Sequence, residues 1–277
     1  LSTPLQPVPG EPLAEPTPEI LTPLPPAPGI IPRENPVFGL LDVFLIFVAA
    51  LFLVFIVPAL AVFVAHSLPP YAGVSLETLA KNPVILLPGQ ALAYLLLVLF
   101  THMLMIARHD RTLAEAIPFT WPRAHWITLV GAGIALAIAI LLLGQFLPIP
   151  KQLPIDDFFK TRAAAFAMLL FGVLVAPLVE ELLFRGLLYP VLNRRLGVVA
   201  ALLLTSVGFA FLHASQLALA WAPLVSLFLV GFALTLVRAR LQSVTASTLV
   251  HMTYNATLLG ILYLQTGGFR HMDALTR

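Results

Sequence analysis

The stretch Val179-Glu180-Glu181-Leu182-Leu183-Phe184-Arg185-Gly186 places two carboxylates and a guanidinium inside residues 163–190, a run that otherwise has the composition of a membrane-spanning helix. An ionisable group at bilayer depth costs ~3 kcal/mol on insertion scales, and is retained where it serves an ion path, a proton relay or catalysis. Of the 13 acidic residues, Glu180 and Glu181 are the two that sit well inside an apolar span. The reading of the chain depends on what can surround them.

The surroundings are those of a membrane protein. The 277 residues are 60% hydrophobic and 10% charged, with a mean hydropathy of +0.98, whereas charged residues make up about 25% of soluble domains. Apolar runs of about 20 residues, enough to cross roughly 30 Å of hydrocarbon, recur near 40–65, 84–107, 126–147, 163–190, 197–217, 220–238 and 243–264. They predict an all-α fold, a polytopic transmembrane helical bundle of seven spans, or eight if one further segment is re-entrant. Pro177, just before the acidic pair, is expected to kink the fourth span. Gly131, Gly133 and Gly231 are expected to mark close helix contacts. The chain has no cysteine, which excludes a disulfide framework, a thiol nucleophile and a thiolate metal site. A net charge of +2 from scattered arginines gives no basic stripe for nucleic acid.

Residues 1–37 hold 12 of the 25 prolines and few core-forming side chains. They predict an extended, polyproline-like N-terminal arm, distinct from a secretory signal, that could dock on a protein partner. The remainder, 38–277, is the transmembrane bundle. Basic residues favour the cytoplasmic ends of spans. Arg108, Arg111, Arg123, Arg194, Arg195, Arg238 and Arg240 fall at one set of ends, against Lys81, Lys151, Lys160 and Arg162 at the other. This bias predicts a cytoplasmic N-terminus, in a bacterial inner (plasma) membrane if the host is bacterial.

Three polar constellations converge in depth. Glu180 to Asn193 is about 20 Å of helix, and Gly197 to His213 about 24 Å, so an antiparallel hairpin brings Glu180 and His213 to one level. His251 and Asn255 fall in the same zone of the last span. Glu181 and Arg185 are four apart with the acid first, the favourable order for a helical ion pair. Glu180 points about 100° away and is left free. Phe209 shares a face with His213, and His251 with Asn255. A carboxylate in a low-dielectric pocket is tuned toward proton transfer near neutrality. With a nearby histidine it can activate water, and a second histidine and an amide can stabilise an oxyanion. Glu180, His213 and His251 are also a plausible ligand set for zinc or another divalent metal. The residue types leave both mechanisms open.

The ordered motifs Glu180-Glu181-x-x-Phe184-Arg185, Phe209-x-x-x-His213 and His251-x-x-x-Asn255 resemble those of the CPBP intramembrane proteases, which include the type II CAAX prenyl endopeptidases and the bacterial Abi proteins. The resemblance covers about residues 163–264. It implies an endopeptidase in which Glu180 is the water-activating base beside His213, Glu181 and Arg185 support it, and His251 with Asn255 form the oxyanion side. It also implies a membrane-associated or lipidated peptide substrate, reached through a cavity open to the cytoplasm. The chain departs from the family at Leu241-Gln242-Ser243, where Thr-Gly-Ser is often found. Two other classes fit the composition: a non-catalytic membrane scaffold docking a partner through its arm, and a proton or small-ion carrier.

Overall fold

The computed structural model describes residues 31–123 and 125–271. Residues from Arg33 onward belong to one compact unit; of the arm expected at 1–37, residues 1–30 lie outside the described residues. The described chain is all helical, with seven long or apolar helices: α1 (Leu40–His66), α2 (Pro83–His109), α3 (Trp126–Gly144), α4 (Arg162–Leu196), α5 (Val198–Leu212), α6 (Trp221–Leu241) and α7 (Val244–Gln265). No strand occurs among the described residues. Helix starts follow local chemistry. Asn82 and Thr161 accept hydrogen bonds from the N–H groups of Val84 and Ala164, satisfying donors that a helix terminus leaves orphaned. Pro83 occupies the first position of α2, where its missing N–H costs nothing.

Five of these helices, α1 to α4 and α6, are long and apolar enough to cross a membrane. Helix α5 has only 15 residues, because the span expected to reach 217 stops at Leu212. Helix α7 has 22 residues, but its apolar character is diluted by the His, Asn, Ser and Thr residues that build the site. Phe44, Phe52, Phe55 and Phe63 of α1 are each more than 60% exposed, as suits side chains facing lipid. The protein is an integral, multi-pass membrane protein.

Hydrogen bonds between chain segments define the two ends of the bundle. At one end Arg108 donates to Asp42, Arg194 donates to the carbonyls of Pro36 and Phe38, and Val244 N–H donates to Pro118 O. This is the arginine face. At the opposite face Ile155 N–H donates to Gln216 O. Residues 33–37, which composition groups with the arm, are tied into the bundle: Arg238 grips Glu34 through two bonds of 2.9 and 2.7 Å. Arg238 was expected among the basic residues at a span end, where solvent could reach it. It lies in the last turn of α6 but is fully buried, because Glu34 supplies the counter-charge that its burial requires.

The chain reverses between α4 and α5 at Gly197, with φ +82°, a conformation open to glycine at little cost. Between α6 and α7 the same need falls on Gln242, with φ 50°. Its side-chain amide donates to Ala239 O at 2.7 Å, and Ser243 Oγ then accepts from Ala246 N–H to cap α7. The turn at which the sequence departs from the family pattern is therefore held by side-chain bonds.

Helix α1 packs on α2, α3 on α7 and α5 on α6. Gly133 and Gly231 make the close contacts expected of them, whereas a Cβ on Gly131 would meet nothing within 4 Å. Gly131 therefore faces open space. A Cβ at Gly133 would come within 2.7 Å of Thr253 Cβ and Val250 O, so Gly133→Leu should force α3 off α7. We expect a loss of about 1–3 kcal/mol, the usual cost of overpacking, read as a lowered unfolding midpoint in detergent; Gly131→Leu should leave it unchanged.

Candidate active site

Helix α4 is one continuous run of 35 residues, about 52 Å at 1.5 Å per residue. Two segments, Phe171–Val175 and Leu182–Leu188, are wound as π-helix, a local widening found frequently at functional sites. The acidic pair lies between them. Glu181 is fully buried and its Oε1 accepts from Arg185 Nη1 at 2.8 Å. The rest of the Arg185 fork is used as well: Nε donates to Thr235 Oγ1 at 3.2 Å and Nη2 to Gly231 O at 2.9 Å. Gly231 also packs against Ser206 and Phe209, so one glycine brings α6 close to α5 and offers its carbonyl to the guanidinium. The pair anticipated from spacing is thus a buried, hydrogen-bonded link between α4 and α6.

Glu180 lies on the other side of the helix and lines a cavity. Its Oε1 is 3.9 Å from His213 Nε2 and its Oε2 is 3.8 Å from His251 Nε2, too long for direct hydrogen bonds. Each imidazole is oriented by its other nitrogen. His213 Nδ1 lies 2.9 Å from Phe209 O; a carbonyl can only accept, so Nδ1 carries the proton and Nε2 of the neutral ring presents a lone pair. His251 Nδ1 lies 3.0 Å from Glu181 Oε1 and donates to that carboxylate in the same way. His213 follows the last residue of α5 as its cap, at the lip of the cavity.

Phe209 has its ring 5.1 Å from His213 and 5.7 Å from His251, with the Arg185 guanidinium 4.5 Å over its face. It walls both imidazoles and adds a cation–π contact to the buried arginine. The three motifs anticipated from the sequence therefore meet in one place.

Asn255 is held by a consequence of Pro177. The N–H of Ala176 bonds Phe171 O, five residues back. In that register the next bond would run from residue 177 to Gly172 O, but proline has no N–H to give. The free carbonyl takes Asn255 Nδ2 at 2.7 Å. Pro177 thus acts as an acceptor-releasing site joining α4 to α7. Asn255→Leu should strand this carbonyl and cost about 1–3 kcal/mol, which thermal unfolding in detergent would register. Asn255→Gln is not expected to restore it, because the longer side chain overshoots.

These residues open into a cavity of about 1350 Å³, far more apolar than polar in its lining. Gln90 and Tyr94, one turn apart on α2, line it too. The Tyr94 ring stacks on Phe171 at 5.7 Å. Neither residue stands out in the sequence: an isolated Gln in a span has no signature until the partner wall is known.

Zinc fits these donors in type but not in spacing. Tetrahedral bonds of about 2.0–2.1 Å hold neighbouring donors about 3.4 Å apart, whereas the two N···O separations here are 3.9 and 3.8 Å and fall on different oxygens of Glu180. Among the described residues no group of three His, Cys, Asp or Glu is arranged to hold a metal ion.

A family model for type II CAAX prenyl endopeptidase Rce1-like proteins matches residues 162–257. An uncharacterized 24.3 kDa protein of Escherichia coli is 33% identical over 139 residues, covering 49% of this chain and 62% of that relative. This chain thus spans less than two thirds of the relative's length. No solved structure matches. The family match starts at the first residue of α4 and ends two residues past Asn255, enclosing Glu180, Glu181, Arg185, Phe209, His213, His251 and Asn255, so residues 162–257 are similar to the Rce1-like type II CAAX prenyl endopeptidases.

Proposed function

We propose that the protein is an intramembrane endopeptidase that hydrolyses a peptide bond with water held between Glu180 and His213. The observation that carries this reading is the pairing of two acceptors, the Glu180 carboxylate and the His213 Nε2 lone pair, 3.9 Å apart at a cavity wall. Such a pair suits a water molecule that gives one hydrogen to each. The water oxygen bonds to the peptide carbonyl carbon while Glu180 takes a proton. His251, oriented by Glu181, donates Nε2–H to the developing oxyanion when its ring is protonated, and a second Asn255 N–H is free to assist. The C–N bond then breaks, and the proton held by Glu180 passes to the leaving amine. Preorganised donors of this kind supply several kcal/mol in a site shielded from water.

The apolar lining of the cavity supports a substrate that arrives from the membrane, as a membrane-associated or lipidated peptide. The excess of arginine at one face supports a cytoplasmic N-terminus in a bacterial inner membrane. Purified protein in liposomes, given a library of membrane peptides in H₂¹⁸O, should release fragments carrying a single ¹⁸O in each new carboxylate. Absence of cleavage, or fragments without the label, would overturn the reading.

A further inference from the structure

The arginine excess and the cavity lie at opposite ends of the bundle. On the arginine face are Arg33, Arg108, Arg111, Arg123, Arg194, Arg195, Arg238 and Arg240, against Lys81, Lys151, Lys160, Arg162 and Arg270 on the other face. The loops lining the cavity all belong to the second face. Leu76, Glu77 and Ala80 come from the connection between α1 and α2, Phe158 and Phe159 from that between α3 and α4, and Gln216 from that between α5 and α6. Glu77 and Gln216 are exposed, so this end of the cavity meets water. The Lys81 ammonium, 2.7 Å away, holds the Glu77 carboxyl below its ordinary range, which keeps a charge at the mouth.

The arginine end is closed. No loop of that face lines the cavity. Its floor is backed by the Glu181–Arg185 pair, and beyond that Arg238 donates both to Arg185 O and to Glu34. The Glu34, Arg185 and Arg238 side chains are part of one buried polar plug. Along α1 the lining residues Phe44, Leu51, Phe55 and Phe63 are strongly exposed, so the cavity also opens sideways toward lipid.

A cavity open to the cytoplasm and a cytoplasmic arginine face cannot both hold in this fold. Lys and Arg counts over short loops set the orientation of a multi-pass chain, whereas no comparable force fixes the side of a cavity. We infer that the active-site cavity opens on the extracytoplasmic side, so that the substrate is the exported, juxtamembrane segment of a membrane-anchored peptide, its anchor lying against α1. The substrate class rests on the proteolytic reading; the orientation does not.

The chain lacks cysteine, so each single substitution carries the only thiol. Gln152→Cys and Gln216→Cys report the cavity face; Trp121→Cys and Leu196→Cys report the arginine face, and none changes the basic count. In bacterial spheroplasts, a membrane-impermeant maleimide should label the first two at least about tenfold more than the last two, and lysis should remove the difference. The reverse pattern, or equal labelling before lysis, overturns the inference. A second arm uses two anchored reporter peptides with their cleavable segments on opposite sides of the membrane. Cleavage only of the extracytoplasmic reporter is expected, and cleavage only of the cytoplasmic one overturns the inference. If neither is cut while labelling is as expected, the orientation stands and the proposed substrate falls with the proteolytic reading.

Discussion

Glu180→Gln should lower peptide cleavage by about 10²–10⁴-fold, the range attributed to a positioned general base, while leaving the protein folded. The amide keeps the shape of the carboxylate but cannot take a proton from water. The Glu180 contacts to the two histidines, at 3.8 and 3.9 Å, are too long for hydrogen bonds, so the substitution removes no direct hydrogen bond to either imidazole. Cleavage rates measured at saturating peptide, alongside an unfolding midpoint in the same detergent, separate the two effects. An unchanged rate would remove Glu180 from the chemistry. A rate lost together with the fold would make it a structural residue.

The second large effect is on stability. Arg185→Met should destabilise the bundle by about 3–5 kcal/mol, since breaking a buried ion pair leaves an uncompensated charge. Glu181 is fully buried and would keep its hydrogen bond from His251 Nδ1 at 3.0 Å but lose the guanidinium that balances its charge. At ~2–4 °C per kcal/mol for a chain of this size, the midpoint should fall by roughly 10 °C. The double variant Arg185→Met with Glu181→Leu should recover much of that loss, because an apolar pair of similar volume is often no worse than the ion pair it replaces. It should nonetheless stay inactive, since His251 would then lack the acceptor that orients it. Failure of the double variant to recover would show that the fork to Thr235 and Gly231 matters more than the charge on Glu181.

The number and order of the helices were legible because lipid imposes long apolar runs, and the runs are separated by Pro, Gly and charged residues. The site was legible because polar residues in such runs are few. Helical arithmetic alone brings Glu180, His213, His251 and Asn255 to similar depth. What stayed hidden depends on partners distant in sequence. Arg238 reads as an ordinary basic residue at a span end until Glu34, 204 residues earlier, is seen to pair with it. Gly131 and Gly133 look alike in sequence, and only the position of α7 tells which one is a contact. Pro177 reads as a kink; that it frees Gly172 O for Asn255 follows from the π-helical register, which no periodicity count reveals.

The Glu34–Arg238 pair also has a meaning for how the protein is made. Glu34 leaves the ribosome 204 residues ahead of its counter-charge, about 10–40 s earlier at 5–20 residues per second. Throughout that interval Glu34 lacks its counter-charge, although Arg194 of α4 can already hold the Pro36 and Phe38 carbonyls, and nascent α4 must enter the membrane with Glu181 and Arg185 satisfied by each other. Only when α6 arrives do Gly231, Thr235 and Arg238 become available, and His251 and Asn255 follow on α7, so the site should be completed last, after the final helix is inserted.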